Sequence, residues 1–272
     1  MKSKFLKSEA NQFAIAICGV IFALQLEGRA DVSFTLTNTT ADAFLASGSA
    51  GNPAGANLTA NNYGGGGTLA IAPASSVKGE FDSVIKFNTT GAVSQFNLTY
   101  GAGNWAISGL TLSLASNTGT NGAPPGNTIF NTVSGGNFGM RWLSYDTWVE
   151  GTGNPQSPSP TGVNFNLIST LLAGSDSLGT YTYTPPGNNV YASYSLPLDA
   201  NFVSDAAAGG DVSLYFFAAD SQISYLFNSR SFASGHPELT LTATPLPEPS
   251  AMSWVAVSLG GFWWLRGRKR KA

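Results

Sequence analysis

The chain has 272 residues, of which 43% are hydrophobic, 12% aromatic and only 10% charged, with 32 Gly and 14 Pro. Ser, Thr, Asn and Gly fill 108 positions, a bias toward turns and extended chain that excludes a helical bundle, while the apolar fraction excludes a disordered chain. The formal net charge is −2, but 12 acids against only Lys78, Lys86, Arg141 and Arg230 make residues 31–247 acidic, which excludes a nucleic-acid partner.

Residues 1–12 carry Lys2, Lys4 and Lys7, and Phe13 to Leu26 is a 14-residue apolar run, short for a membrane span of about 20 residues. Gly28-Arg29-Ala30 then places small residues three and one before Asp31. This order predicts a secretory signal peptide over residues 1–30, cut between Ala30 and Asp31 after delivery to the Sec translocon. A lipoprotein signal using Cys18 is disfavoured by the bulky Ile17 before it. Since Cys18 is the single cysteine, cleavage leaves a chain without thiols or disulfides, dependent on its core for stability.

From Asp31 the hydrophobic period is two. Asp31 to Thr37, Ile107 to Leu114 and Glu238 to Thr242 alternate polar with apolar residues between Gly, Pro, Asn or Ser, as half-buried strands do. Phe81 to Phe87, Val190 to Leu198 and Val212 to Ala219 are more continuously apolar, which predicts strands buried on both sides or crossing a bend. Two stretches break the pattern: Leu167 to Ala173 before Gly174, and Ala200 to Ala208 between Asp199 and Gly209. Each has a capping residue before it and a glycine after it, so each predicts a helix of one or two turns. About ten strands without a linker predict an all-β fold, one sandwich of two antiparallel sheets over residues 31–244.

Chemistry-bearing residues are sparse. His236 is the lone histidine and precedes Pro237 at the head of a strand, which leaves a Ser-His-Asp triad or a His-based metal site without partners. Paired carboxylates are the remaining catalytic route, with Glu80, Asp82, Asp146 and Glu150 as candidates for a polysaccharide hydrolase or lyase. The Gly64 to Gly67 run lacks the following Lys and helix start of a phosphate cradle, and Asp199 to Asp205 lacks the glycine and glutamate of a calcium loop. Rings can stack on sugars, and Trp142 and Trp148, with Arg141 as a donor, are the best candidate contacts; for each ring a core position is the simpler reading. No residue is assigned a catalytic role.

Beyond the body, Pro247-Glu248-Pro249 is followed by the apolar run Ala251 to Leu265 and by Arg266, Arg268, Lys269, Arg270 and Lys271. Trp263 and Trp264 suit the inner interface, and the basic cluster suits the cytoplasmic side, so a permanent tail anchor is the generic reading. The order of the three parts over residues 245–272 resembles the PEP-CTERM sorting signal of Gram-negative-type bacteria. That resemblance implies transient insertion in the inner membrane, a transmembrane helix, processing by an exosortase near Pro247-Glu248-Pro249, and delivery to the cell surface or the extracellular matrix of a biofilm.

Asp42-Ala-Phe-Leu, Asn62-Tyr-Gly-Gly-Gly-Gly, Val84-Ile-Lys-Phe-Asn, Asp146-Thr-Trp-Val-Glu-Gly-Thr-Gly-Asn-Pro and Asn228-Ser-Arg followed by His236-Pro-Glu-Leu occur in that order. The series resembles DNRLRE-type modules, jelly-roll sandwiches related in shape to carbohydrate-binding modules. The resemblance implies a structural or adhesive protein with an extracellular polysaccharide as its ligand, and a structural calcium whose ligands the sequence does not name. One position departs from the pattern: Ser231 follows Arg230 where an acid is common, which removes a charge partner there. The reading that follows is a non-enzymatic surface or matrix protein; the alternative is the secreted hydrolase or lyase.

Overall fold

The computed structural model describes residues 29–48, 58–76, 79–117, 130, 135–184, 187–221 and 224–247. The apolar runs Phe13 to Leu26 and Ala251 to Leu265, expected as a signal peptide and as part of a sorting signal, lie outside the described residues with Glu248, Pro249 and the basic cluster Arg266 to Lys271. Among the described residues no helix is long and apolar enough to cross a membrane. Residues Ser33–Ala243 form one compact unit.

Among the described residues eleven strands dominate, in chain order β1 (Val32–Leu36), β2 (Ala41–Ala46), β3 (Thr68–Ile71), β4 (Phe81–Asn88), β5 (Trp105–Ala115), β6 (Gly136–Leu143), β7 (Asp176–Tyr183), β8 (Tyr191–Leu196), β9 (Asp211–Ala218), β10 (Tyr225–Asn228) and β11 (Glu238–Pro245). They make a four-stranded sheet β1-β11-β5-β8, a five-stranded sheet β2-β4-β9-β6-β7 and the small pair β10-β3. Every pairing with a defined register is antiparallel. On the outer face of the four-stranded sheet, Ser33 meets Thr242 and Thr35 meets Thr240, hydroxyl to hydroxyl at 2.8 Å each, so β1 and β11 also run antiparallel.

The period-two segments became strands because alternation buries one face of a sheet that is wet on the other. In β11, Leu239, Leu241 and Ala243 are fully buried between partly exposed threonines; in β5, Leu110, Leu112 and Leu114 do the same. Across the core, Phe138 of β6 meets Tyr194 of β8 edge-on, with ring centroids 5.2 Å apart, which ties the two large sheets into a β-sandwich.

The apolar runs separate into two kinds. β4 and β9 are central strands covered on both faces, as expected. The Val190 to Leu198 run is instead β8, an edge strand with alternating burial, whose exposed Tyr191 donates its hydroxyl to the His236 carbonyl at 3.0 Å. Its apolar letters stand at outward positions as well as inward ones, which period counting in a short run does not separate.

Three helices lie among the described residues: α1 (Thr90–Tyr100), α2 (Ile168–Leu171) and α3 (Ala200–Ala208). Both predicted helices are present. Asp199 caps α3 by accepting the backbone N–H of Asn201 and of Phe202 at 3.0 Å each, and Gly209 ends it at φ +79°. α1 was not anticipated. Its buried side, Ala92, Phe96 and Tyr100, repeats every four residues, while the β-branched and Gly letters around it carry little helical preference. Packing beneath Phe96 and Trp105, whose rings lie 5.1 Å apart, supplies what propensity lacks.

Candidate functional site

The segments around Asp42, Asn62, Lys86, Glu150 and Arg230 that carry the module resemblance lie far apart in the chain and meet at one edge of the five-stranded sheet, whereas His236 to Leu239 lies with β8 and β11 of the other sheet. β2 is the edge strand there, yet all six of its residues are buried. What covers it is a strap, residues 144–172, running between β6 and β7 over the outer face of the sheet. Trp148, Val163 and Leu171 of the strap pack with Ala41, Ala43, Leu45, Val84, Leu143 and Tyr215 in one buried cluster.

Glu150 is the centre of the polar fastening. Its Oε1 accepts the backbone N–H of Asp42 at 3.1 Å, replacing the partner strand that an edge residue lacks. The same carboxylate receives the Arg230 guanidinium in a bidentate pair, Nε to Oε1 at 2.6 Å and Nη2 to Oε2. Arg230 turns back through its own backbone N–H, which donates to Asp42 Oδ2 at 2.6 Å. Ser231, the departure noted in the sequence, donates its N–H to the Ser229 hydroxyl at 3.1 Å, so Arg230 draws its partner from Glu150, 80 residues away, rather than from its neighbour.

Asn62 fastens the strap from the other side. Fully buried, it donates to the carbonyls of Glu150 at 2.5 Å and Val163 at 2.7 Å, and its Oδ1 accepts the N–H of Gly64 and of Gly153 at 3.1 Å each. Gly151 is at φ +75° with no room for a Cβ beside Asn62 Oδ1 and the Thr161 carbonyl. The Glu-Gly-Thr-Gly letters are therefore the part of the strap that wraps a buried amide. The Gly64 to Gly67 run belongs to the same wrapping, with Gly65 N–H donating to the Gly153 carbonyl at 2.8 Å.

Lys86 holds a third point. Its ammonium donates to the carbonyls of Asp146 at 2.5 Å and Trp148 at 2.9 Å and lies 4.6 Å from the centre of the Trp148 ring. The Trp148 indole N–H donates to the Ser213 hydroxyl at 2.9 Å. Trp142 is likewise buried, with its N–H on Asp205 Oδ2 at 2.8 Å, and Arg141 is tied to the Ser175 hydroxyl at 2.9 Å and carbonyl at 3.1 Å. All three candidate ligand contacts thus serve the sandwich and its strap. Both tryptophans are buried, and among the described residues Tyr145 and Tyr191 are the exposed rings.

Of the candidate acids, Glu150 is committed to Arg230 and Asp42, and burial raises the carboxyl of half-buried Glu80. Asp82 is fully buried and accepts the Tyr215 hydroxyl at 2.5 Å; burial, with Glu80 nearby, holds its carboxyl well above the usual range. Burial pushes Asp146 up to about 6 and Asp42 up to about 7, in the latter case against the lowering pull of the Arg230 N–H. One carboxylate oxygen of each of these three has no hydrogen-bond partner, which leaves the charged form less supported there. Among the described residues, no three His, Cys, Asp or Glu side chains gather as metal ligands. His236 Nε2 lies 2.9 Å from the Phe232 carbonyl, in the loop before β11.

Sequence reasoning picked out Glu150 as a candidate acid, and Asp42, Asn62, Lys86 and Arg230 only as letters within motifs. Their common signal is polarity inside otherwise apolar or glycine-rich segments, and their convergence depends on pairings of long sequence separation. Comparison with protein-family models finds none that matches this chain, and comparison with curated proteins finds no match either.

Proposed function

We propose that this is an exported, non-enzymatic protein of the bacterial surface or extracellular matrix, sorted through its C-terminal segment by an exosortase. The observation that carries the reading is the ordered set Pro247-Glu248-Pro249, apolar Ala251 to Leu265 and basic Arg266 to Lys271, paired with an N-terminal export signal ending at Ala30. Leu246 and Pro247 are exposed just past the end of β11, where a processing enzyme needs accessible chain. Of the four candidate acids, Asp82 is fully buried on the Tyr215 hydroxyl and Glu150 is paired with Arg230, which favours the non-enzymatic reading over the hydrolase or lyase.

The finer fold is a jelly roll. With β2, β3 and β10 set aside, the chain passes β1, β4, β5, β6, β7, β8, β9 and β11, changing sheet at every step except the β6-β7 hairpin. That alternation is what two interleaved Greek keys require. An extracellular polysaccharide is the ligand class that such a module implies. A surface for it lies among exposed rings such as Tyr145 and Tyr191 rather than at Trp142 and Trp148.

The test is the intact mass of the protein recovered separately from membrane and extracellular fractions. The reading expects an extracellular form beginning near Asp31 and ending near Pro247 to Pro249. An intact C-terminus found only in membranes would make the tail a permanent anchor and overturn the sorting reading.

A further inference from the structure

The two large sheets have four edges, and three of them are blunted. The β2 edge is covered by the strap, with Glu150 on the Asp42 N–H. The β7 edge is broken by a register shift opposite Met140 and Arg141 and by Gly179 at φ +110°. At the β8 edge the Tyr181 hydroxyl donates to the Ser195 carbonyl at 3.3 Å, and Pro197 follows the strand at once. The fourth edge, β1, reads Val32-Ser-Phe-Thr-Leu36, without a charge, proline, glycine or bulge, and among the described residues nothing caps it. Edges of that composition pair with another strand unless something prevents it.

We infer that the β1 edge is a self-association surface, on which β1 of a second copy of this chain pairs antiparallel about a twofold axis at Phe34. An isologous contact requires a self-complementary surface, and β1 has one: its side-chain classes are symmetric about Phe34, apolar at 32, 34 and 36 and hydroxylated at 33 and 35. Twofold pairing sets Ser33 opposite the second copy's Thr35 and Phe34 opposite its own counterpart. Apolar residues then stay on the inner face, where Val32, Phe34 and Leu36 are at present only half-buried, and hydroxyls stay on the outer face. The joined sheets would be continuous, with eight strands across the pair. This inference does not depend on the sorting reading.

The full chain, with Cys18→Ser to remove its one thiol, is expressed and exported in three forms. Ser33→Cys with Thr242→Cys in one chain reports that β1 is docked, because those hydroxyls already meet at 2.8 Å. Ser33→Cys chains and Thr35→Cys chains are then produced separately and together. The inference expects an intrachain disulfide in the first form, covalent dimer when the two single variants are mixed, and only background dimer from either alone. Three results would each overturn it: no intrachain disulfide, no dimer in the mixture, or equal dimer in the single variants, which would indicate collision or another register.

Discussion

The Arg230 guanidinium grips the Glu150 carboxylate through both of its oxygens, joining the loop after β10 to the strap that closes the β2 edge. The Arg230 side chain is 40% exposed and that of Glu150 13%, so the pair alone contributes modestly. Glu150 does more than pair, because it also satisfies the Asp42 N–H. Glu150→Ala should therefore cost roughly 2 kcal/mol, the sum of a charge-assisted contact and an orphaned buried donor, and Arg230→Ala distinctly less. Chemical denaturation of the two variants side by side measures the difference.

Asn62 has no substitute with the same reach. Its amide makes four hydrogen bonds, three of them to the strap and one to Gly64, and Asn62→Ala leaves their partners buried without one, for a loss of roughly 3–4 kcal/mol. Loosening should be local first, so limited proteolysis and hydrogen exchange should show residues 150–163 opening before the strands beneath. Gly151→Ala should be as damaging, since a Cβ there meets Asn62 at a positive φ.

Stability should rise toward acid. Asp42 is raised from 3.8 to about 7 and Asp146 from 3.8 to about 6, so the folded state holds protons that the unfolded chain releases near 3.8. A raised carboxyl contributes stability that is complete below the unfolded value and lost as pH climbs through the folded one. The melting temperature should thus be highest near pH 4 and fall through pH 6 to 7. Asp42→Asn, which keeps an acceptor for the Arg230 N–H, should flatten that fall and raise the melting point at pH 8. Thermal melts at constant ionic strength across this range decide it, and a melting temperature that climbs from pH 4 to 7 would contradict the assignment.

The α3 cap gives a smaller, separate effect. Asp199→Ala removes the acceptor for two N–H groups and should cost about 1 kcal/mol, whereas Asp199→Ser or Asp199→Asn should restore most of it.

Several features were legible in the letters because the physics behind them is local. The alternation in β11 and β5, the Asp199 and Gly209 boundaries of α3 and the loop position of His236 each depend on a few neighbouring residues. α1 escaped because its stability comes from what Phe96 and Tyr100 pack against. The tryptophans are the clearest case at the candidate site. Trp142 and Trp148 beside a long loop are the best candidate stacking rings in the sequence although a core position is the simpler reading for each, and Asp205, Ser213 and Lys86, brought from elsewhere in the chain, hold them inside.

By itself the sequence determined an all-β chain, its two short predicted helices and a charge distribution that concentrates basic residues at both ends, because composition, period and capping act within a few residues. Tertiary structure decided which strands are edges, that Asp42, Asn62, Lys86, Glu150 and Arg230 become one fastening, and that burial raises the carboxyls of Asp42, Asp82 and Asp146. Those outcomes depend on antiparallel pairings that bring together residues as far apart as Asp42 and Arg230, whose hydrogen bond spans 188 positions, and on the burial that only such closure creates.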